Sequence, residues 1–317
     1  MKALLLAMLI ATPAIAASNY DKPDKLVALP DGRKLNIYCS GSGGSKPTVI
    51  LEAGYQSWSF GWRATQELLE QRYRVCSYDR AGLGFSDFGP LPRDGAHIAA
   101  DLDALITAAA LKPPFVLVGH SAGGMSMRLL ADRRLADVAG LVLVDTSIER
   151  QFAGIEGSVT YVANDYRKCA EAAKANRLPS SEFPKCVSLA ASFMAPRMAA
   201  EVTIRALGPD YWLTQASEYE SIAIATSNQL LAGRQNYGDL PLVVLTAGNN
   251  LNPRWAAAHA ALAARSTRGV QHIVERSGHL IHIERPDAIA DAVDEVVKAH
   301  RSKATGAAGV EPKRRAR

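Results

Sequence analysis

The sequence predicts an α/β fold in which a mostly parallel, doubly wound sheet is covered by helices on both faces and carries an inserted helical cap. Two patterns lead to this prediction. Strand-like apolar runs alternate with segments of helical period, which is typical of a parallel sheet. The alternation stops between residue 146 and about residue 238, where the pattern is mostly helical, and then resumes. A chain of 317 residues is long enough for one such domain with an insertion.

The elements before the insertion follow from hydrophobic period and from Gly and Pro punctuation. KLNIYCS alternates apolar and polar residues, as a half-buried strand does, whereas PTVILEAG and FVLVGH are apolar runs that indicate buried strands. In chain order the predicted elements are a strand at 34–40, a strand at 47–54, a helix at 62–70, a strand at 73–80, a helix at 97–111, a strand at 115–120, a helix at 122–133 and a strand at 139–146.

Residues 146–238 are predicted to form the helical cap, inserted into a core made of residues 18–145 and 239–300. Because the insertion follows the carboxyl end of a strand, where open parallel sheets bind ligands, we expect the cap to cover the functional site. After the cap the predicted elements are a strand at 241–248, a helix at 252–265, a strand at 270–278 and a helix at 286–300.

The amino terminus has the three-part pattern of a secretory signal. Lys2 precedes a short apolar run, and Ala14-Ile15-Ala16 supplies the small residues of a cleavage site. Residues 1–17 are therefore interpreted as a signal peptide, which predicts export to a periplasm or to the outside of the cell. The run is too short for a stable membrane anchor, so no membrane insertion is expected after cleavage. An uncleaved anchor or a buried helix is the alternative.

The net charge of +5 resides in residues 301–317, which contain six basic residues and one acidic residue. The rest of the chain is about neutral, which disfavours a nucleic-acid partner. We interpret 301–317 as a disordered basic tail, with contact to nucleic acid or anionic lipid as the alternative. Hydrophobic residues make up 48% of the chain and charged residues 21%, a composition that excludes a wholly disordered protein.

Four cysteines are expected to form two disulfides, because an exported chain folds in an oxidising compartment. The favoured pairs are Cys39–Cys76, which would join two strands, and Cys169–Cys186, which would close a short loop in the cap. Free buried cysteines are the alternative. None of the four has the spacing of zinc ligands, and no metal site is predicted.

The strongest chemical signal is FVLVGHSAGG, residues 115–124, which contains Gly119-x-Ser121-x-Gly123 between a predicted strand and a predicted helix. In that context the motif indicates a nucleophilic serine in a strained turn, because small flanking residues let the turn close. The helix that follows directs its N-terminal amides at developing negative charge. A chance match at an ordinary turn is the alternative.

Here the chain resembles the α/β-hydrolase superfamily over nearly all of residues 25–300. DRAGLGFSD, residues 79–87, resembles a loop of that family, and LEAGY, residues 51–55, falls where most members have a His-Gly oxyanion turn. This chain has Ala53-Gly54 there and is similar to a subgroup with a Glu-Ala-Gly turn. The resemblance implies an oxyanion hole formed by the backbone N–H groups of Tyr55 and Ala122. Packing alone is the alternative role for Tyr55.

The general base is predicted to be His279, which follows Ser277-Gly278 at the end of the last strand. An imidazole can accept the serine proton and return it to the leaving group, because its ordinary pKa is close to neutrality. The family shows a Gly-His pair followed by an E-x-P element, here Glu284 to Pro286. His282 and His272 are the rivals and are interpreted as structural.

The triad acid departs from the common family pattern, because the strand at 241–248 is followed by Asn249, Asn250 and Asn252 rather than by Asp. The favoured acid is Asp145, at the end of the strand at 139–146, where some family members carry it. The order serine, acid, histidine along the chain is then kept. Glu149 and an Asn250-assisted or acid-free site are the alternatives.

Two carboxylates and three aromatic residues each have a structural and a functional interpretation. Asp79 and Glu52 are interpreted as structural, although Glu52 could contact substrate. The aromatic side chains are substrate-pocket candidates, with the core of the cap as the alternative location; they are Trp58, Tyr161 and Trp212.

The resemblance implies acyl transfer to water through an acyl-enzyme on Ser121, with a carboxylic ester or related acyl compound as the small-molecule substrate. It implies no metal and no organic cofactor. Members that cleave epoxides or carbon–halogen bonds have Asp at the nucleophile position, which argues against those reactions here. Acyltransferase, lactonase and peptidase activities share such a site and stay open, as does a non-catalytic binding protein. The sequence does not define the oligomeric state.

Overall fold

An eight-stranded sheet runs through the residues that the computed structural model describes, which are 20–184, 186 and 196–308. The predicted signal peptide, residues 1–17, lies outside them. The strands in chain order are β1 (Lys25–Ala28), β2 (Lys34–Ser40), β3 (Thr48–Glu52), β4 (Val75–Tyr78), β5 (Phe115–His120), β6 (Val138–Val144), β7 (Leu242–Ala247) and β8 (Gly269–Val274). They are arranged as β1-β2-β4-β3-β5-β6-β7-β8. The pairs from β4 to β8 are parallel, and β1 and β2 form an antiparallel edge.

Helices cover both faces of the sheet, and alternate residues of the strands explain why. Phe115 and Leu117 of β5 belong to one buried apolar cluster, whereas Val116 and Val118 belong to the other. A strand that is apolar on both faces needs a helical layer on each side, which gives the predicted α/β fold class. The core helices are α1 (Arg63–Leu69), α2 (Gly95–Ala108), α3 (Ala122–Arg133), α8 (Pro253–Ala263), α9 (Ile281–Glu284) and α10 (Pro286–Ala308).

The segment between β6 and β7 is mostly helical in the residues that the structure describes. Its helices are α4 (Glu156–Lys174), α5 (Pro196–Ala206), α6 (Pro209–Ala223) and α7 (Ala225–Ala232). A separate apolar cluster joins Trp212 and Cys169 of these helices to Trp58 and Leu83 from the loops that follow β3 and β4. The insertion therefore packs on the edge of the sheet where the parallel strands end.

The two ends of the described chain differ from the sequence prediction. Strand β1 was not predicted, because its four residues are too few for a period to be recognised and only Val27 is buried. Helix α10 continues to Ala308, so residues 301–308 are helical rather than part of a disordered tail. Lysine and alanine are good helix formers and prolong the helix. The rest of the predicted tail, 309–317, lies outside the described residues.

Both favoured disulfides are present. Cys39 of β2 is the register partner of Cys76 on β4, and the two are bonded. Cys169 of α4 is bonded to Cys186 within the cap segment. In the part of the chain that the structure describes, no helix combines the length and the apolar character needed to cross a bilayer.

Candidate active site

Ser121 lies in the sharp turn between the end of β5 and the start of α3. Its backbone angles, φ 52° and ψ −125°, are unusual for a residue with a side chain. The turn closes because its neighbours are glycine. A Cβ on Gly119 would lie 2.6 Å from the Cα of Gly124, and one on Gly123 would lie 2.5 Å from the carbonyl oxygen of Ala53. The motif therefore presents a strained serine at the carboxyl edge of the sheet.

The structure brings Ser121, His279 and Asp145 into one hydrogen-bonded row. The Oγ of Ser121 lies 3.0 Å from Nε2 of His279, and Nδ1 of His279 lies 2.6 Å from Oδ2 of Asp145. The three residues come from the ends of β5, β6 and the loop after β8, which meet at one edge of the sheet. The ionised carboxylate accepts a hydrogen bond from Nδ1–H of His279, so that Nε2 carries no proton and can accept one from Ser121.

Two further donors hold the carboxylate of Asp145. The backbone N–H of Ala247 donates to Oδ1 at 3.0 Å, and the indole Nε1 of Trp255 donates to the same oxygen at 3.3 Å. Burial raises the pKa of this carboxyl group, but hydrogen bonds from His279 and Ala247 outweigh burial and lower the pKa below its ordinary value. The sequence carried no signal for Trp255, because its contact with Asp145 depends on the packing of α8 against β7.

The alternative acids and bases lie elsewhere. Glu149 binds the guanidinium groups of Arg128 and Arg265. Asn250 is exposed in the turn after β7, and Asn252 caps α8 by accepting hydrogen bonds from two backbone N–H groups. Of the rival histidines, His272 pairs with Glu295 on the surface, and His282 is buried.

His120 and His282 are buried imidazoles beside His279. Nε2 of His120 donates to the carbonyl oxygen of His279 at 2.8 Å, which helps to fix the loop that carries the proposed base. The ring centroids of His120 and His282 are 4.2 Å apart. Burial and the nearby His279 lower the pKa of His282 to about 3. Both imidazoles therefore add polarity to the site while they remain uncharged near neutral pH.

The buried His282 predicts acid-sensitive folding. Its pKa falls from 6.5 to about 3 on folding, so between these values the unfolded chain binds a proton that the native chain does not. Stability is then lost as the pH falls below 6.5, by about 1.4 kcal/mol per pH unit. Chemical denaturation of wild type and His282→Gln at pH 7 and pH 5 should show a drop about 2 kcal/mol smaller in the variant.

His272 is the control, because its side chain is exposed and burial does not oppose a charge on it, so His272→Gln should not make the drop in the free energy of unfolding smaller. Equal drops for wild type and His282→Gln would contradict the prediction.

The turn Ala53–Tyr55 lies against Ser121. A Cβ on Gly54 would be 3.1 Å from the Cβ of Ser121. The hydroxyl of Tyr55 donates to the carbonyl oxygen of Gln215 on α6 at 3.1 Å. Ala122 is the first residue of α3, so its backbone N–H has no partner within the helix. Both residues predicted to supply oxyanion donors are therefore beside Ser121.

The two carboxylates interpreted as structural are buried and bonded within the protein. Asp79 accepts hydrogen bonds from the side-chain amide of Asn36 and the backbone N–H of Phe85, each at 2.9 Å. Glu52 accepts from Arg80 at 2.8 Å and from the hydroxyl of Tyr78. Neither lines the pocket beside Ser121.

A pocket of about 270 Å³ opens beside Ser121 and His279. Phe60, Leu280 and Ile283 form its apolar wall, and the described residues that line it include no Lys, Arg, Asp or Glu. No group of His, Cys, Asp or Glu side chains among the described residues could hold a metal ion.

None of the three aromatic pocket candidates lines this pocket. Trp58 and Trp212 are buried in the apolar cluster of the cap, where the indole of Trp212 donates to the carbonyl oxygen of Ala206. Tyr161 is 61% exposed on α4. Aromatic residues at a helical insertion can pack either on each other or on a ligand. Here the two tryptophans pack within the apolar cluster of the cap.

The sequence profile of the alpha/beta hydrolase family matches residues 38–292, which is most of the chain. This chain belongs to the alpha/beta hydrolase family. The hydrolase is 24% identical over 260 residues to YqjL of Bacillus subtilis, covering 80% of this chain and 85% of YqjL. Other matches are partial. The hydrolase is 34% identical over 109 residues to an AB hydrolase superfamily protein of Gibberella zeae, covering 33% of this chain and 34% of that protein. It covers 15% of efuK, described as a probable transporter of Hormonema carpetanum.

Solved structures share the fold of this hydrolase. A thermophilic esterase from Thermogutta terrifontis has a TM-score of 0.61 at 22% identity, covering 87% of this chain and 98% of that one. An enol-lactonase from Burkholderia xenovorans LB400 has a TM-score of 0.63 at 19% identity, covering 86% of this chain and 100% of the lactonase chain. The epoxide hydrolase CorEH has a TM-score of 0.65 at 18% identity, covering 85% of this chain and 96% of the CorEH chain. At these identities the similarity concerns the fold.

Proposed function

We propose that this hydrolase cleaves carboxylic esters through an acyl-enzyme on Ser121. The observation that carries the proposal is the hydrogen-bonded row from Asp145 through His279 to Ser121, with distances of 2.6 and 3.0 Å. A serine hydroxyl is a weak nucleophile by itself and needs a base within hydrogen-bond reach, oriented by a third group. All three components are present, and the pocket of about 270 Å³ opens beside the serine.

In the proposed reaction the Oγ of Ser121 attacks the ester carbonyl while its proton passes to Nε2 of His279. The tetrahedral intermediate carries its negative charge on the former carbonyl oxygen, which the N–H groups of Tyr55 and Ala122 stabilise. The imidazolium then protonates the alcohol, which leaves as the acyl-enzyme forms. A water molecule gives its proton to His279 and attacks the acyl carbon, and the proton returns to Ser121 as the acid leaves.

The lining of the pocket supports a substrate whose group beside the reacting carbonyl is uncharged. Phe60, Leu280 and Ile283 offer apolar contact surface, and no lysine, arginine or carboxylate side chain is among the described lining residues. A charged group would lose its hydration there without gaining a counter-charge. Neutral acyl or alcohol groups therefore suit the site better than amino acid or phosphate groups.

We also propose that the protein is exported. The signal-like segment at residues 1–17 predicts it, and the two disulfides in the structure support it.

The test combines hydrolysis with active-site labelling. Wild type is assayed with p-nitrophenyl esters of increasing acyl length and is treated with a fluorophosphonate, followed by mass analysis of the peptide that contains Ser121. We expect release of p-nitrophenol, an early burst where deacylation is slow, and a covalent mass increase on Ser121. If no ester is hydrolysed and Ser121 is not labelled, the proposal is wrong. Acyl products formed on added alcohols at the expense of free acid would indicate an acyltransferase instead.

A further inference from the structure

A buried arginine lies behind the turn that faces the nucleophile. Arg80 follows β4, and only 4% of its side chain is exposed. Its Nη1 donates to the carbonyl oxygen of Ala53 at 2.7 Å, and its Nη2 donates to the carbonyl oxygen of Gly54 at 2.9 Å. Nη1 also donates to the carboxylate of Glu52 at 2.8 Å. The guanidinium thus binds two successive backbone carbonyls of the turn.

Holding the carbonyl of Gly54 also orients the backbone N–H of Tyr55. The two groups belong to the same peptide unit, which is planar and trans, so they point in opposite directions. Because Arg80 attracts the carbonyl oxygen of Gly54 to the interior, the N–H of Tyr55 is turned the other way. Arg80 therefore acts on the proposed oxyanion donor through one rigid peptide plane.

The other side of the same guanidinium is bound by the cap. Nε and Nη2 of Arg80 donate to the two carboxylate oxygens of Glu218 on α6, each at 3.0 Å. Burial opposes the charge of Arg80, but Glu218 and Glu52 raise its pKa above the ordinary value. The hydroxyl of Tyr55 bonds to Gln215, one turn earlier on α6, which gives the turn a second link to this helix.

We propose that Arg80 and Glu218 are positioning residues that fasten the turn Ala53–Tyr55 to cap helix α6, so that the placement of the cap sets the geometry of the oxyanion hole. The inference rests on the proposed function, because it assigns a purpose to the N–H of Tyr55. Arg80 and Glu218 also line a small cavity together with Ala122, the residue of the second proposed donor. Neither side chain lines the pocket beside Ser121, so their action on the reaction is indirect.

The chain offers a matched control. Arg128 and Glu149 form a second buried arginine–glutamate pair with two hydrogen bonds, at 2.6 and 3.1 Å, and neither contacts the turn Ala53–Tyr55. Substituting Glu149 with Gln removes the charge of a buried partner just as Glu218→Gln does. Loss of stability is therefore common to both variants, whereas loss of oxyanion binding is expected in only one.

The experiment measures kcat and KM on a p-nitrophenyl ester, and the inhibition constant of an aryl trifluoromethyl ketone. That ketone adds the Oγ of Ser121 to form a hemiketal whose oxyanion occupies the hole. We expect Glu218→Gln and Arg80→Lys to lower kcat and to raise the inhibition constant of the ketone in parallel, each by about 10- to 100-fold. KM should change less than about 3-fold. Glu149→Gln should keep both quantities within about 3-fold of wild type.

The outcomes separate the inference from the proposed function. If wild type hydrolyses esters but both variants keep its kcat and ketone affinity, the inference is wrong and the proposed function stands. If wild type is inactive and Ser121 is not labelled, both are wrong. Should Glu218→Gln fail to fold, Arg80→Lys and the milder Tyr55→Phe provide the comparison. Tyr55→Phe removes the bond to Gln215 while keeping the backbone donor, and unchanged kcat and ketone affinity in these variants would overturn the inference.

Discussion

Replacing Ser121 with alanine is expected to lower kcat for ester hydrolysis by about 10⁶-fold. The substitution removes the atom that would form the acyl-enzyme, while the strained turn, the pocket and His279 stay in place. The residual rate should come from binding and from the oxyanion donors alone, which elsewhere retain about 10³- to 10⁴-fold catalysis over water. Because the missing group acts only in the reaction, KM should change little. Steady-state kinetics with a p-nitrophenyl ester measures both constants.

A buried serine on the helix that follows Ser121 serves as the control. Ser126 lies five residues further on α3, and Ser126→Ala makes the same chemical change without touching the row of triad residues. It should retain a rate within about 3-fold of wild type. A Ser121→Ala protein that hydrolyses the ester at more than one hundredth of the wild-type rate, after purification free of wild type, would show that another group is the nucleophile.

Replacing Asp145 with asparagine is expected to lower kcat by about 10⁴-fold. Asparagine has nearly the same shape but supplies no charge to stabilise the imidazolium. Its side-chain NH₂ can also donate a hydrogen bond to Nδ1 of His279. The ring proton of the neutral imidazole then lies on Nε2, which can no longer accept the proton of Ser121. The hydrogen bonds from Ala247 and Trp255 to the retained oxygen should preserve the fold. Thermal unfolding and kcat measured on the same preparation separate the two effects.

Asn250 tests whether the group that supports His279 lies after β7 rather than after β6. It occupies the turn after β7, the usual family position, but it is exposed, and His279 is bonded to Asp145. Asn250→Ala should therefore keep nearly the wild-type rate. If Asp145→Asn retains full activity while Asn250→Ala loses it, the acid has been assigned to the wrong strand.

Much of the fold could be predicted because each strand has its own local pattern. The buried strands β3, β5, β6 and β7 are apolar on both faces, and the segment after β6 breaks the alternation clearly. The residues of the proposed triad could be nominated because parallel strands end at one edge, so that residues far apart in sequence converge. That argument identified Asp145 as a candidate even though the usual position after β7 has asparagine.

The remaining features depend on contacts that have no local pattern. Trp255 and Asp145 are 110 residues apart, and Arg80 and Glu218 are 138 apart, so only the packed fold brings each pair together. The location of Trp212 could not be predicted either, because an apolar residue on a cap helix can pack against neighbouring helices or against a ligand. Its burial in the cap cluster is decided by the tertiary arrangement of α4, α5 and α6.

The location of Asp145 has a consequence for how this hydrolase could vary. The proposed acid is the residue that follows β6, and the cap begins directly after it, so any exchange of the cap for another would have to preserve this junction. The loop after β7 does not have to hold a residue of the proposed triad in place. Its exposed residues 249–251 carry no part of the proposed chemistry, and Asn252 only begins α8. Diversity among close variants of this enzyme should therefore accumulate after β7, while the start of the cap stays fixed.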